Sequence, residues 1–293
     1  MPDPVKMNHP CDLCGADQPI LVPCSPSYMD GQSINVCSEC GFVYVNERRS
    51  SKAIADSWSD DLYQSDYTAR IPLVKARQTY VADTIETEIG LRNKRLCDIG
   101  GGEGQFLQII QSDEYKAKAF AIEPSTDNCR LLDSLGIENF NGTIETFSSS
   151  RLPSTNKVFD IVTVMWTLEN CHDCRALINN AWEMLDVNGH IVVATGSRIL
   201  VPFKKPLNMY LSDNPSDTHC FRFSANTLQG LLMTCGFEIT FVNRYIDTDW
   251  LVVIGRKIEK DSSVSWTKDD PQQVLDFFDR WDQETRKHHL GAK

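Results

Sequence analysis

A chain of 293 residues, 41% of them hydrophobic, can bury one substantial core and a smaller module beside it. Its net charge of −11 opposes a general nucleic-acid binder, which would carry a basic face for phosphates. No apolar run reaches the length of a membrane span, and the start MPDPVKMNHPCDLC lacks the basic opening and apolar core of a secretory signal, so a cytoplasmic location is expected.

Eleven cysteines in such a chain point to metal binding and reduced thiols rather than a disulfide framework. Four of them form Cys11-x-x-Cys14 and Cys37-x-x-Cys40, separated by 22 residues and each pair followed by a glycine, Gly15 and Gly41. Two such knuckles bring four thiolates into a tetrahedron and leave no open position, which predicts a structural Zn2+. His9 and Cys24 are surplus to that set. Short strands are expected at Pro19–Val22, Ser33–Val36 and Phe42–Val45, and a ribbon of residues 1–47 is too small to hold a core without its metal.

Residues 48–92 read as a helical connector. Arg48–Ala55 is polar, and Tyr63 and Tyr67, four apart, fall on one face of a helix where they either cover a neighbouring site or pack the helix down. Leu73–Leu91 has the periodicity of an amphipathic helix.

Next comes Arg95–Phe106, RLCDIGGGEGQF, an apolar strand that runs into Asp98-x-Gly100-x-Gly102-x-Gly104 and then into a helix. Glycines let the backbone turn sharply and approach a ligand, and the following helix offers free N–H groups. A dinucleotide fingerprint starting from Gly100 would need a glycine where Gln105 stands. An acid two residues before the first glycine, with glycines at alternate positions after it, resembles the S-adenosylmethionine (SAM) loop of class I methyltransferases. That resemblance implies that Asp98, Gly100, Gly102 and Gly104 contact SAM. Lys118–Glu123 then reads as the next parallel strand, ending in a carboxylate able to accept both ribose hydroxyls, so Glu123 is assigned to the SAM ribose.

Strands and helices go on alternating. Asn128–Leu135 is helical, Phe159–Met165 is a buried strand, Asp173–Leu185 a helix and His190–Thr195 another strand. This alternation predicts an α/β, doubly wound, Rossmann-like sheet over residues 93–258. Ligands sit at the carboxyl ends of such strands, which places Thr143 and Ile144 near the adenine and Trp166–His172 near the methyl group. Leu228–Cys235 reads as a helix. Glu238–Val242 with Trp250–Gly255 looks like the reversed hairpin that closes class I methyltransferase sheets. Residues 197–227 form an insertion or lid, whose Arg198, Lys204, Lys205 and Arg222 either meet a phosphate or are solvated charge. In the tail, residues 259–293, a helix over Pro271–His288 carries the apolar stripe Val274, Leu275, Phe277, Phe278 and Trp281, which packs on its own domain or makes a homodimer contact.

Over residues 11–255, the order of a four-cysteine ribbon, a tyrosine-bearing connector, a SAM domain and Thr218-His219-Cys-Phe-Arg-Phe223-Ser224 resembles the zinc-containing methyltransferases of deoxysugar and small-metabolite tailoring. The resemblance implies an active-site role for His219 and makes Tyr63 the match to the family's connector tyrosine. It also implies a small-molecule acceptor; if Arg198, Lys204 and Lys205 meet a phosphate, that acceptor is nucleotide-linked or carrier-linked. Where the family's sugar C-methyltransferases have a histidine in an L-x-H setting, this chain has Leu168-Glu169-Asn170, with His172 displaced by two, and their long C-terminal domain is missing. Taking a proton from carbon demands a strong base, whereas a hydroxyl proton can leave during transfer, so O-methylation is favoured over C-methylation. His219 is the first candidate base and His172 the second, although Asp173 also reads as a helix cap beside it. Cys171 and Cys174 lack a second ligand pair and do not make a metal site. RNA methylation is opposed by the acidic charge and by Glu169-Asn170-Cys171-His172, where an Asn/Asp-Pro-Pro-aromatic motif would stand. A non-catalytic SAM-fold adaptor is opposed by the intact glycine loop.

Overall fold

The computed structural model describes residues 6–29, 33–59, 67–151, 159–203, 205–211, 219–261 and 263–289. Tyr63 and Lys204 lie outside them, and Tyr67 is described as backbone alone.

The amino-terminal module has five short strands: β1 (Met7–Asn8), β2 (Pro19–Leu21), β3 (Asn35–Cys37), β4 (Val43–Tyr44) and β5 (Glu47–Arg48). Helix α1 (Ser51–Ser59) occupies what reads in the sequence as polar connector. Helix α2 (Tyr67–Glu88) starts six residues before the predicted Leu73 and runs through Pro72, at the cost of one helical hydrogen bond.

The central alternation follows as β6 (Arg95–Ile99), α3 (Gln105–Gln111), β7 (Lys118–Glu123), α4 (Thr126–Ser134), β8 (Glu138–Asn141), α5 (Ile144–Arg151), β9 (Phe159–Met165), α6 (Cys174–Met184) and β10 (Leu185–Thr195). Then come α7 (Leu207–Leu211), β11 (Phe221–Arg222), α8 (Ala225–Thr234), β12 (Phe237–Val242), β13 (Leu251–Lys257) and α9 (Pro271–His288).

Seven strands form one sheet in the order β12-β13-β10-β9-β6-β7-β8. The five from β6 to β10 pair in parallel, while β13 runs antiparallel to both β10 and β12. This is the mostly parallel Rossmann-like arrangement that the strand and helix alternation predicts. Both faces are covered, so alternate residues of one strand enter different cores: Val162 and Val164 face the cluster with Ile178 and Leu231, and Ile161 faces the cluster with Phe106 and Ile85.

A second sheet, β11-β4-β3-β2, crosses the boundary between ribbon and main domain. Phe221 pairs with Tyr44 and Arg222 with Val43, so the insertion supplies the ribbon's fourth strand. The face of this sheet that carries Val36 and Val43 is covered by α9 through Val274, Phe277, Phe278 and Trp281. The apolar stripe of α9 is thus used within the chain, the packing alternative of the two that its sequence leaves open.

Candidate functional site

Because β6 leads to β7 and β8 on one side and the chain then crosses to β9 and β10 on the other, the carboxyl ends of β6 and β9 flank a switch point. A cleft of about 920 Å³, mouth included, opens there. Gly100, Glu123, Thr143, Ile144, Trp166 and His172 all line it. Its far wall is one face of α1, where Ser51, Ile54 and Ala55 stand at helical spacing.

The glycine loop owes its composition to two different needs. Gly100 has φ +79°, and a Cβ there would lie 2.3 Å from the Thr167 hydroxyl, so close packing inside the chain excludes a side chain. Gly102 has φ +54° and nothing within 4 Å of the place a Cβ would take. The space beside Gly102 is open to a ligand.

Two buried carboxyl groups stand beside this loop, and one of them, Glu123, is bonded to it. Glu123 Oε2 accepts the Gly102 N–H at 2.9 Å, and Oε1 accepts the Ser125 N–H at 2.8 Å. Asp98 is 3% exposed and stands opposite Thr163 in the β6–β9 register, where the Thr163 hydroxyl donates to it at 2.6 Å. Burial raises both carboxyls above their usual range, Asp98 to about 8, against the opposing pull of the Thr163 hydrogen bond and with added repulsion from Glu123. Two acids that burial resists ionising, at adjacent strand ends, suit a ligand that brings positive charge and hydroxyl donors.

Trp166 holds φ +53° as it leaves β9, an unfavourable backbone region for an aromatic residue, and it is fixed by its N–H on the Ala194 carbonyl at 2.7 Å. The Arg77 guanidinium covers its ring at 3.9 Å. Glu169, three residues on, is 3% exposed; Oε1 accepts the Gly196 N–H at 3.3 Å while Oε2 has no hydrogen-bond partner among the described residues. Burial raises its carboxyl to about 7. Glu169 falls in the stretch Trp166–His172 that the sequence places near the methyl group, but nothing in its spacing reveals its burial.

His219 does not line the cleft. Its ring is sheltered beside Arg222 and Lys205, and burial first, then those two charges, lower its pKa to about 3. His172 does line the cleft, and its pKa is lowered by burial and by Arg48. Asp173 caps α6 by accepting the Ala176 N–H at 2.8 Å.

The four sulfurs of Cys11, Cys14, Cys37 and Cys40 lie within 4.8 Å of one another, with Cys11 to Cys40 at 3.7 Å and Cys14 to Cys37 at 3.4 Å. A tetrahedron of thiolates about 2.3 Å from one ion has edges of about 3.8 Å, so the donor set fits Zn2+. Gly41, at φ +71°, turns under the second knuckle, where a Cβ would meet Asp269 at 2.7 Å.

The first knuckle is bonded directly to the cleft wall. Arg48, 0% exposed, grips Asp12 through two nitrogens at 3.1 and 2.5 Å and donates to the His172 carbonyl. Arg175 of α6 donates to the Asp12 carbonyl at 2.7 Å and to that of Leu13. The His9 ring meets the His172 ring edge-on at 4.6 Å.

A family model described as a methyltransferase domain matches residues 73–241. Bacillus subtilis YrhH, provisionally named a methyltransferase, is 22% identical over 129 residues, spanning 44% of this chain and 70% of that protein. Among solved structures, a SAM-dependent methyltransferase of Thermotoga maritima, described as a possible histamine N-methyltransferase, has a TM-score of 0.51 and 19% identity over 70% of this chain and 99% of its own. Burkholderia thailandensis 1,6-didemethyltoxoflavin-N1-methyltransferase, with 1,6-didemethyltoxoflavin and S-adenosylhomocysteine bound, has a TM-score of 0.52 and 15% identity over 76% of this chain and 98% of its own. At these identities the likeness is one of fold.

Proposed function

The chain belongs to the methyltransferase domain family and is a SAM-dependent methyltransferase; on that premise we propose that it methylates an oxygen of a small polar acceptor such as a sugar, a nucleotide sugar or a related metabolite. The observation that carries the reading is the pair of buried acids, Asp98 and Glu123, behind an open glycine loop at the switch point. When bound, SAM supplies a methyl group on a positively charged sulfur. Asp98 balances the cofactor's positive end, and Glu123, already fixed by Gly102 and Ser125, accepts its ribose hydroxyls. Thr143 and Ile144 flank the adenine, Trp166 walls the methyl-bearing end, and the backbone of Gly100, Gly102 and Gly104 gives access. Tyr67 is assigned to cofactor binding and Tyr63, as the family resemblance implies, to catalysis. Cys11, Cys14, Cys37 and Cys40 hold a structural zinc.

Displacement at a sulfonium methyl asks the protein mainly for alignment and one proton acceptor. With its pKa near 3, His219 is neutral across the physiological range and can accept a proton, yet it is too weak a base to ionise a carbon acid. This favours oxygen over carbon as the methylated atom. Replacing His219 by alanine is expected to lower turnover about 100-fold with SAM affinity unchanged, as read by steady-state kinetics and calorimetry. His172→Ala, at the cleft wall, should instead change both. Equal losses of SAM affinity in the two variants would remove His219 from proton transfer.

The direct test offers SAM with a panel of nucleotide sugars, free polar metabolites and total RNA, with mass-spectrometric localisation of the added methyl group. Methyl on an oxygen of a sugar or metabolite supports the reading; methyl on carbon, or in RNA alone, overturns it.

A further inference from the structure

We propose that Arg222 and Tyr210, beside the cofactor cleft, bind an oxyanion group of the acceptor, a phosphate or a carboxylate. The proposal rests on the methyltransferase reading and names the chemistry of its second substrate.

Arg222 is 2% exposed, and among the described residues its guanidinium makes one hydrogen bond, from Nη1 to the His219 carbonyl at 3.0 Å. It has no ion-pair partner among the described residues, although acidic residues outnumber basic ones 40 to 29 in the chain. Burying a charge without an opposite charge is strongly unfavourable, and a chain with acids to spare would ordinarily place one there. The absence is explained if the opposite charge arrives with a ligand.

Tyr210 supplies the second, independent observation. Its hydroxyl is buried and bonded to nothing among the described residues, and the Arg222 guanidinium lies 5.9 Å from its ring centre. A buried hydroxyl without a partner is costly, and a guanidinium within 5.9 Å of that residue's ring centre adds donors of the kind that phosphate and carboxylate oxygens satisfy. The Lys205 ammonium stands 5.4 Å from the same ring and adds positive potential. Both cations act on His219, so a bound oxyanion would lie next to the proposed base. The acid nearest in effect is Glu169, whose charge bears on Tyr210; its carboxyl, raised to about 7 by burial, stays largely protonated below neutrality and repels an anion little.

Strand β11 fixes this geometry. Arg222 is locked against Val43 of the ribbon sheet, and Phe223 donates its N–H to the Ser197 carbonyl at 2.9 Å, so the residues after β10 and the insertion are held together where the acceptor would enter.

The experiment titrates inorganic phosphate and acetate, against chloride at equal ionic strength, into the whole protein with and without S-adenosylhomocysteine, by calorimetry. Wild type should bind one of the probes with a millimolar dissociation constant; stronger phosphate binding identifies a phosphate-bearing acceptor, stronger acetate binding a carboxylate. Arg222→Met should weaken binding by about 10-fold or more. Because that variant empties a buried site and can misfold, Tyr210→Phe is the decisive partner: it removes only an unpartnered hydroxyl, so melting temperature and S-adenosylhomocysteine affinity should hold while the probe binds about 3-fold to 10-fold more weakly. No probe binding by wild type, or identical binding by Tyr210→Phe, overturns the proposal. Failure of S-adenosylhomocysteine to bind, with the oxyanion still bound, would strike the methyltransferase reading and leave this site standing.

Discussion

Replacing Cys40 by serine is expected to release the metal and to weaken SAM binding in the same step. Zinc capture contributes on the order of 10 kcal/mol to small cysteine modules, so loss of one thiolate of four should remove much of what holds the two knuckles together. The damage does not stop there. Asp12 and Leu13 lie between the first two ligands, Cys11 and Cys14, and their backbone carbonyls are held by Arg175, while the Asp12 carboxylate is held by the buried Arg48. Separating one partner from a buried ion pair typically costs about 3–5 kcal/mol. Arg48 also carries the His172 carbonyl, and residues 170–172 form one wall of the cleft. We expect zinc content to fall below one equivalent by elemental analysis and S-adenosylhomocysteine affinity to drop about 10-fold or more. Hydrogen exchange should quicken in residues 168–177 while β6 and β7 stay protected. Metal loss with unchanged affinity would show that knuckle and cleft are mechanically independent.

Asp98→Asn should do the opposite to the two halves of its phenotype: stabilise the free protein and disable the bound one. Burial holds the Asp98 carboxyl up at about 8, against an ordinary value of 3.8. A carboxyl whose pKa is raised on folding favours the fold at acid pH, and that contribution is lost as the pH climbs from about 4 to about 8. Glu169, raised to about 7, acts in the same direction over a narrower window. The free protein should therefore melt at a higher temperature at pH 5 than at pH 8, as far as these two groups decide it. Asparagine keeps an oxygen to accept the Thr163 hydroxyl and has no charge to desolvate, so the melting temperature at pH 8 should rise by roughly 3 °C or more. SAM affinity should fall about 100-fold, because a positively charged ligand loses its buried counter-charge. For the native protein, SAM binding should tighten as pH rises from 6 to 8, with proton release seen by calorimetry in two buffers. An asparagine variant that binds SAM normally would make Asp98 a purely structural partner of Thr163.

The parts of the molecule most legible in its sequence are those where local spacing and chemistry coincide. Cys11, Cys14, Cys37 and Cys40 announce a cluster because short knuckles leave little freedom in where four thiols can go. Gly100, Glu123, Thr143, Ile144, Trp166 and His172, which the fold brings to one cleft, each end or follow a strand, and a doubly wound sheet gathers such positions by its topology alone. Partnerships between distant segments are hidden, because periodicity tells which face of an element is apolar and not what covers it. Nothing in Arg48–Ala55 reveals that Ile54 and Ala55 wall the cleft, or that Arg48 is wholly buried. The stripe on α9 is plain, whereas its destination on the ribbon sheet is set by packing across the whole chain. The missing partners of Glu169 Oε2 and the Tyr210 hydroxyl are hidden for a related reason: an unpartnered buried atom is a property of three-dimensional surroundings and leaves no trace in spacing.

The pairing of β11 with β4 also bears on how the chain is made. The ribbon leaves the ribosome early with all four thiols, but its sheet waits for residues 221–222 to add a strand and for residues 271–288 to cover its apolar side. A metal taken up by the four thiols while the chain is still being made would hold the ribbon in register until residues 221–222 and 271–288 can bury Val36 and Val43.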